Sequence, residues 1–213
     1  MPSNMLIVTD RENSPATLLP IPLHGQLGDT HAYGAIYDAK GRRKYVDARE
    51  RARFLLSAKL LPVSARSFCQ LLALSGCRIS EALGVCAHHV GIGVVVFRTL
   101  KRRAVIYRMV QVPEWLTEQM QSLADPEKPA DRLWPADRST GYRWVTRVMG
   151  IAQITGIQAC PKGLRHGFGV RNASLNVPVS LIRKWMGHSN ERTTAIYLDA
   201  VGAEERAFAE RAW

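Results

Sequence analysis

Gly187-His188-Ser189-Asn190-Glu191-Arg192-Thr193-Thr194-Ala195-Ile196-Tyr197 sets a histidine and a tyrosine nine residues apart behind a glycine turn, a pattern suited to attack on phosphate. A phenol with its ordinary pKa of about 10 is a weak nucleophile at neutral pH, so it needs cations and hydrogen-bond donors gathered around its target. The chain carries them upstream. In Ser75-Gly76-Cys77-Arg78-Ile79-Ser80-Glu81-Ala82-Leu83, Arg78 stands just past a helix-ending glycine and at the mouth of the next helix. Its guanidinium fork is placed to meet a phosphate there while Glu81, one helical turn on, holds its other edge. In Pro161-Lys162-Gly163-Leu164-Arg165-His166, Lys162 and Arg165 are three apart at the start of a helix, so both address one anion where backbone amides also favour it. Lys101 sits at a hairpin turn, on a stem long enough to carry an ammonium into a minor groove or toward a leaving oxygen. His166 reads as a supporting histidine. Each of these alone fits an ordinary surface pair, basic loop or core aromatic; only jointly do they describe a site.

The elements that must hold these groups are mostly helices. Ser64 is the expected N-cap of a helix carrying Phe68, Leu71, Leu72 and Leu74 and stopped by Gly76, and Ser80 is expected to open another through Glu81, Leu83 and Val85. Val94-Val95-Val96-Phe97 and Val105-Ile106-Tyr107 predict a hairpin with a cationic tip. Pro113 starts a helix with Trp115, Leu116, Met120 and Leu123, broken at Asp125-Pro126-Glu127-Lys128-Pro129. Trp144, Val145, Val148, Met149 and Ala152 form the stripe of an amphipathic helix over about 140–153. Shorter helices are predicted over about 163–175, 178–186 and 193–198, and a tail helix over 203–213 presenting Ala207 and Phe208. The fold class is α+β, mainly α, with one small antiparallel sheet.

Global composition bounds the function. The 213 residues carry 29 Lys and Arg against 18 Asp and Glu, a net charge of +11, which points to a polyanionic partner. Arg98, Lys101, Arg102, Arg103 and Arg108 fall in one stretch without an acid, and Arg42, Arg43 and Lys44 form a second cluster. Residues 1–45, rich in proline and glycine and lacking a helical period, read as an N-terminal arm. The four cysteines lack a C-x-x-C pair and read as reduced thiols, and Cys86, His88 and His89 lack a fourth ligand at zinc spacing. No apolar run reaches a membrane span and no signal pattern opens the chain, so the expected location is the cytoplasm, with the nucleoid.

Taken in order, Arg, Glu, Lys, Lys-x-x-Arg, His and Tyr make a series that resembles the catalytic domain of the tyrosine recombinases, also called phage-type integrases. S-G-C-R-I-S-E-A-L, P-K-G-L-R-H-G-F and W-M-G-H-S-x-x-x-T-T-x-x-Y match the family's boxes over about residues 46–200. The resemblance implies that Tyr197 attacks a DNA phosphodiester to form a 3′-phosphotyrosyl link. Arg78 and Arg165 would clamp the non-bridging oxygens, His188 would donate to one of them, and Lys101 would protonate the departing 5′-oxygen. Lys162 stands where many relatives have histidine, as a proton acceptor or a phosphate donor. The implied chemistry needs no cofactor, no ATP and no metal. Its partners are double-stranded DNA carrying specific sites, contacted by Arg42, Arg43, Lys44, Arg98, Arg102 and Arg103, and accessory DNA-binding proteins. The working assembly implied is a tetramer on two DNA sites in a mobile element, with the tail at 201–213 docked either on a neighbouring protomer or back onto its own domain. The 45 residues in front lack the pattern of the core-binding domain that typically precedes residues 46–200. A DNA-binding regulator without turnover and a topoisomerase-like enzyme are the competing readings.

Overall fold

Asp47-Ala48-Arg49-Glu50 is a reciprocal capping box: Asp47 Oδ1 accepts from Glu50 N at 2.8 Å, and Glu50 Oε2 accepts from Asp47 N at 3.1 Å. It opens α1 (Ala48–Ala58) in a computed structural model that describes residues 36–99, 105–198 and 209–210. The helical periodicity of the sequence did not reveal α1, although the D-x-x-E signature of its cap is present.

α2 (Val63–Ser75) starts directly after Pro62, one residue before the expected cap at Ser64. The Ser64 carbonyl instead accepts hydrogen bonds from Trp134 Nε1 at 2.9 Å and Ser67 Oγ at 3.1 Å. This helix is the axis of the main core, with Phe68, Cys69, Leu71, Leu72 and Ala73 all buried. It ends at Gly76 in the left-handed conformation, with φ +62°, and a Cβ built there would lie 2.5 Å from the Phe168 ring. Gly76→Ala is therefore expected to combine left-handed strain with overpacking. It should cost about 2 kcal/mol or more, read as a lowered midpoint in thermal unfolding.

Arg78, in extended backbone, takes the N-cap position of a single helical turn, α3 (Ile79–Ala82). That turn starts one residue before the expected opening at Ser80 and ends sooner. After a 3-10 turn (Ala87–His89), β1 (Val90–Gly91), β2 (Val94–Thr99) and β3 (Ile106–Gln111) form an antiparallel sheet in that order, with Phe97 opposite Arg108 and Arg98 opposite Tyr107. β3 runs four residues beyond the expected Val105–Tyr107. It alternates Arg108 and Val110 inward with Met109 and Gln111 outward, and the inward arginine hides the apolar period. The hairpin tip with Lys101, Arg102 and Arg103 lies outside the described residues.

α4 (Glu114–Gln121) follows Pro113. α5 (Arg138–Ile151) is capped by Asp137, whose Oδ1 accepts from Thr140 N at 2.7 Å, and it starts two residues before the expected boundary. α6 (Pro161–Ser174), α7 (Val179–Met186) and α8 (Arg192–Ala195) complete the described fold. The tail helix expected over 203–213 lies outside the described residues apart from Ala209 and Glu210. The result is the mainly helical α+β architecture with a small antiparallel sheet that the sequence predicts. Among the described residues no helix is long and apolar enough to cross a membrane.

A second core holds Tyr197. Ile36 and Tyr45 are buried with Phe168, Val170, Ile182, Met186 and Tyr197. Residues 36–46 form a small hairpin, with Tyr37 bridged to Arg43, that sits directly on α6: Val46 N donates to Gly163 O at 3.0 Å. A Cβ at Gly167 would lie 2.2 Å from Val46 O, so only glycine permits this approach of backbone to backbone. Among the described residues, packing reaches back to Ile36, ten residues before the expected boundary at 46, and this part of the expected arm supplies apolar surface to the pocket of Tyr197.

Candidate active site

Glu81 is the hub from which the site is built. Its side chain is 0% exposed and accepts from Arg78 N at 2.8 Å, Arg78 Nη1 at 2.9 Å, and Arg108 Nη1 and Nη2 at 3.1 and 2.8 Å. A carboxylate with that many donors from two cations holds its pKa below the usual range although burial opposes the shift. Arg108, 5% exposed at its side chain, also donates from Nε to Trp185 O at 2.8 Å and lies over the Phe97 ring at 5.1 Å. Sequence reasoning placed Arg108 in a basic run and missed this structural role. The signal was weak: one arginine at an inward strand position, its partner 27 residues away. Arg78, by contrast, keeps partial exposure, so Glu81 and Arg108 aim it from behind.

Arg165, on the first turns of α6, donates from Nη1 to Gly76 O at 2.5 Å and from Nη2 to Met186 O at 2.8 Å. Both carbonyls close helices, α2 and α7, where the helix dipole is negative, so the guanidinium is fixed between two C-termini. Burial first, then the charge of Arg78, lowers its pKa to about 10, while Tyr197 and Glu81 oppose the shift. With Arg78 and Arg108 beside it and Glu81 the carboxylate they share, the surroundings of Arg165 hold more positive than negative charge. An anion would relieve it. Lys162 is exposed one turn earlier on the same helix, and His166 is buried one residue after Arg165.

His188 follows Gly187, which terminates α7 with φ +65°, and a Cβ there would press on the Arg108 guanidinium at 3.0 Å. Its Nδ1 lies 2.9 Å from Thr194 Oγ1, a partner that sequence reasoning missed. When the threonine hydroxyl donates, Nε2 carries the imidazole proton and is the donor available to an oxyanion. The His188 ring stacks on that of Tyr197, with centroids 6.1 Å apart at 22°. Tyr197 is 2% exposed, its ring against Gly169, where a Cβ would meet it at 2.5 Å. Its hydroxyl is buried but faces a polar group, His166 Nδ1, at 3.3 Å. Burial pushes the phenol up to about 12, against the pull of Arg165 and Arg78.

The two histidines give this site a pH signature. Burial first, then neighbouring cations, lower His188 to about 3 and His166 to about 4. The unfolded chain then binds protons that the folded chain excludes, so their contribution to stability is complete above about pH 6.5 and fades as pH falls toward 4. The melting temperature is expected to decline between pH 6.5 and 5, before most carboxylates titrate, and to decline less in His188→Asn.

The other expected DNA contacts are placed as follows. Arg42 is exposed and paired with Asp38 at 2.7 Å. Arg43 is turned inward, with its fork on Glu50 at 2.7 Å and its Nη1 2.9 Å from Asp47. Lys44 is half-buried and shares a cleft with Lys162, Asp38 and Cys160. Arg98 is exposed on β2. His88 and His89 serve a turn: His89 Nδ1 accepts from Cys86 N at 3.1 Å, and His88 Nδ1 lies 2.8 Å from Pro129 O.

Residues 44–203 match the phage integrase family, and the chain belongs to it. The fold is similar to that of XerA recombinase, at 20% identity and TM-score 0.68 over 79% of this chain and 64% of that one. It is also similar to XerH site-specific recombinase bound to difH substrate in a pre-cleavage complex, at 17% identity and TM-score 0.62 over 78% and 52%. The catalytic domain of bacteriophage HP1 integrase matches at 20% identity and TM-score 0.56, over 78% of this chain and 93% of that domain. No curated relative matches the chain.

Proposed function

We propose that this protein is a site-specific DNA recombinase or integrase that cuts and rejoins strands through Tyr197. The observation that carries the reading is the surplus of positive charge around the phenol: Arg78 and Arg165 both act on it, while Glu81, the carboxylate beside them, is held by Arg78 and Arg108. A phosphodiester anion supplies the missing charge. Tyr197 Oη bonds to phosphorus, the bond to the 5′-oxygen breaks, and the 3′-phosphoryl group stays on the tyrosine. Arg78, Arg165 and His188 Nε2 meet the non-bridging oxygens as the five-coordinate transition state gathers charge. Lys101, from the hairpin tip, protonates the leaving 5′-oxygen, and Lys162 stands at the phosphate as donor or proton acceptor. Religation to a new strand spends the energy held in the phosphotyrosyl bond. The working assembly in this reading is a tetramer on two sites, with tails at 201–213 docked between protomers and accessory proteins setting direction within a mobile element.

A pool of nicked, fluorescent duplexes with randomised cores tests it. The full chain is expected to yield a band that survives denaturant and carries label, and sequencing the trapped strand reads out the site. Binding without a band supports a regulator on the same fold. Relaxation of a single plasmid without strand exchange between two trapped sites supports the topoisomerase-like reading.

A further inference from the structure

The group in contact with the Tyr197 hydroxyl is neither arginine nor Lys162. It is His166, whose Nδ1 lies 3.3 Å from Oη, and the ring is 8% exposed. Among the described residues, no other hydrogen-bond partner of the hydroxyl is present, and the opposite ring nitrogen, Nε2, is buried with no hydrogen-bond partner. A buried imidazole with one nitrogen on a phenol and the other unpaired is costly for stability alone, since an unsatisfied buried polar atom costs about 1–3 kcal/mol. Such an arrangement suits a ring that must hold one more proton than it holds at rest.

We propose that His166 receives the proton of Tyr197 as its oxygen attacks phosphorus, with Lys162 left to address the phosphate. This rests on the recombinase reading above. The proton balance is closed: the Oη–H bond breaks as the Oη–P bond forms, the proton passes to Nδ1, and the bond from phosphorus to the 5′-oxygen breaks as that oxygen takes its proton from Lys101. Religation runs the same transfers backward, with His166 returning the proton to the phenol.

The surroundings explain why the transfer waits for DNA. His166 faces Lys162 and Arg165 from its own helix, Lys44 from the 36–46 hairpin, and His188 and Tyr197 from the segment beyond α7. In the free protein burial and three of these cations hold the ring near 4, while the phenol stands near 12, so the pair remains neutral. A phosphodiester seated among Lys162, Arg165 and Arg78 offsets that positive field. The imidazolium becomes easier to form in the same event that brings the target. The sequence spacing supports this division of labour: Lys162 and His166 are i, i+4, so they share one face of α6, with the lysine on its exposed first turn and the histidine one turn deeper.

The test uses the same randomised nicked duplexes, with single-turnover adduct formation measured across pH for the full-length chain, His166→Asn and Lys162→Ala. Asparagine puts an amide oxygen near the position of Nδ1 and so accepts the hydrogen bond without the proton. Expected for His166→Asn is wild-type DNA binding and a melting temperature close to wild type, with adduct formation slowed about 10²- to 10⁴-fold and the remaining rate rising with hydroxide. Lys162→Ala should keep the pH profile of the full-length chain. Adduct formation by His166→Asn within threefold of wild type on the same profile overturns the proposal. So does faster formation, which would mean that the contact merely stores the phenol. Transfer of the pH limb to Lys162 overturns it equally. Failure of the unaltered chain to form any adduct instead removes the recombinase reading on which the proposal stands.

Discussion

Tyr197→Phe is expected to abolish the denaturant-stable adduct completely while leaving DNA binding within a few-fold of the unaltered chain. Phenylalanine retains the ring that packs on Gly169 and stacks on His188, so the second core stays filled. What it loses is the hydroxyl and its 3.3 Å contact with His166, a weak hydrogen bond by length. The change in stability should be about 1–3 kcal/mol, since the buried His166 Nδ1 loses its partner. Binding draws on the net charge of +11, which the substitution does not alter, so affinity should still fall steeply with salt along the same slope. An adduct formed by Tyr197→Phe at the wild-type level would move the nucleophile to another residue and dissolve the site described above.

Arg108→Met should be the most damaging substitution outside the chemistry itself. It leaves Glu81, with its fully buried carboxylate, supported by Arg78 alone, and removes the Trp185 carbonyl's partner on α7. Breaking one side of a buried ion pair costs about 3–5 kcal/mol, which for a chain of this size lowers the melting temperature by roughly 6–20 °C. The loss should reach the site as well, because Arg78 then competes for a carboxylate no longer held from the sheet, and adduct formation should drop even at temperatures where the variant is folded. Glu81→Gln combined with Arg108→Met should recover part of the lost stability, since no unpaired charge remains inside. A melting temperature for Arg108→Met within about 2 °C of the parent would show that the hub does not hold the sheet to the helices.

The residues proposed to meet phosphate were legible because each is announced within a few positions of its own chain. Gly76 ends one helix and Arg78 begins the next, Pro161 opens the helix bearing Lys162 and Arg165, and Gly187 stops α7 just before His188. Backbone chemistry at glycine and proline is local, and so is helix periodicity, so the mainly helical fold could be read from it as well. Boundaries were less secure where a side chain chose a distant partner. Ser64 did not cap α2, and its carbonyl takes the indole of Trp134, 70 residues away. α1 was overlooked although Asp47 and Glu50 spell its cap.

Composition and short motifs were enough to establish a basic, mainly helical chain and to single out the two guanidiniums, the imidazole and the phenol of the proposed site. The folded arrangement alone showed which cation is structural, what touches the Tyr197 hydroxyl, and which described residues outside the motifs line its pocket. Arg108 pairs with Glu81 across 27 residues, His166 reaches Tyr197 across 31, and Ile36 and Tyr45 close the pocket from a stretch with no pattern of its own. Such contacts arise because burial forces every inward polar atom to find a partner wherever the packing brings one, and no spacing along the chain records that choice.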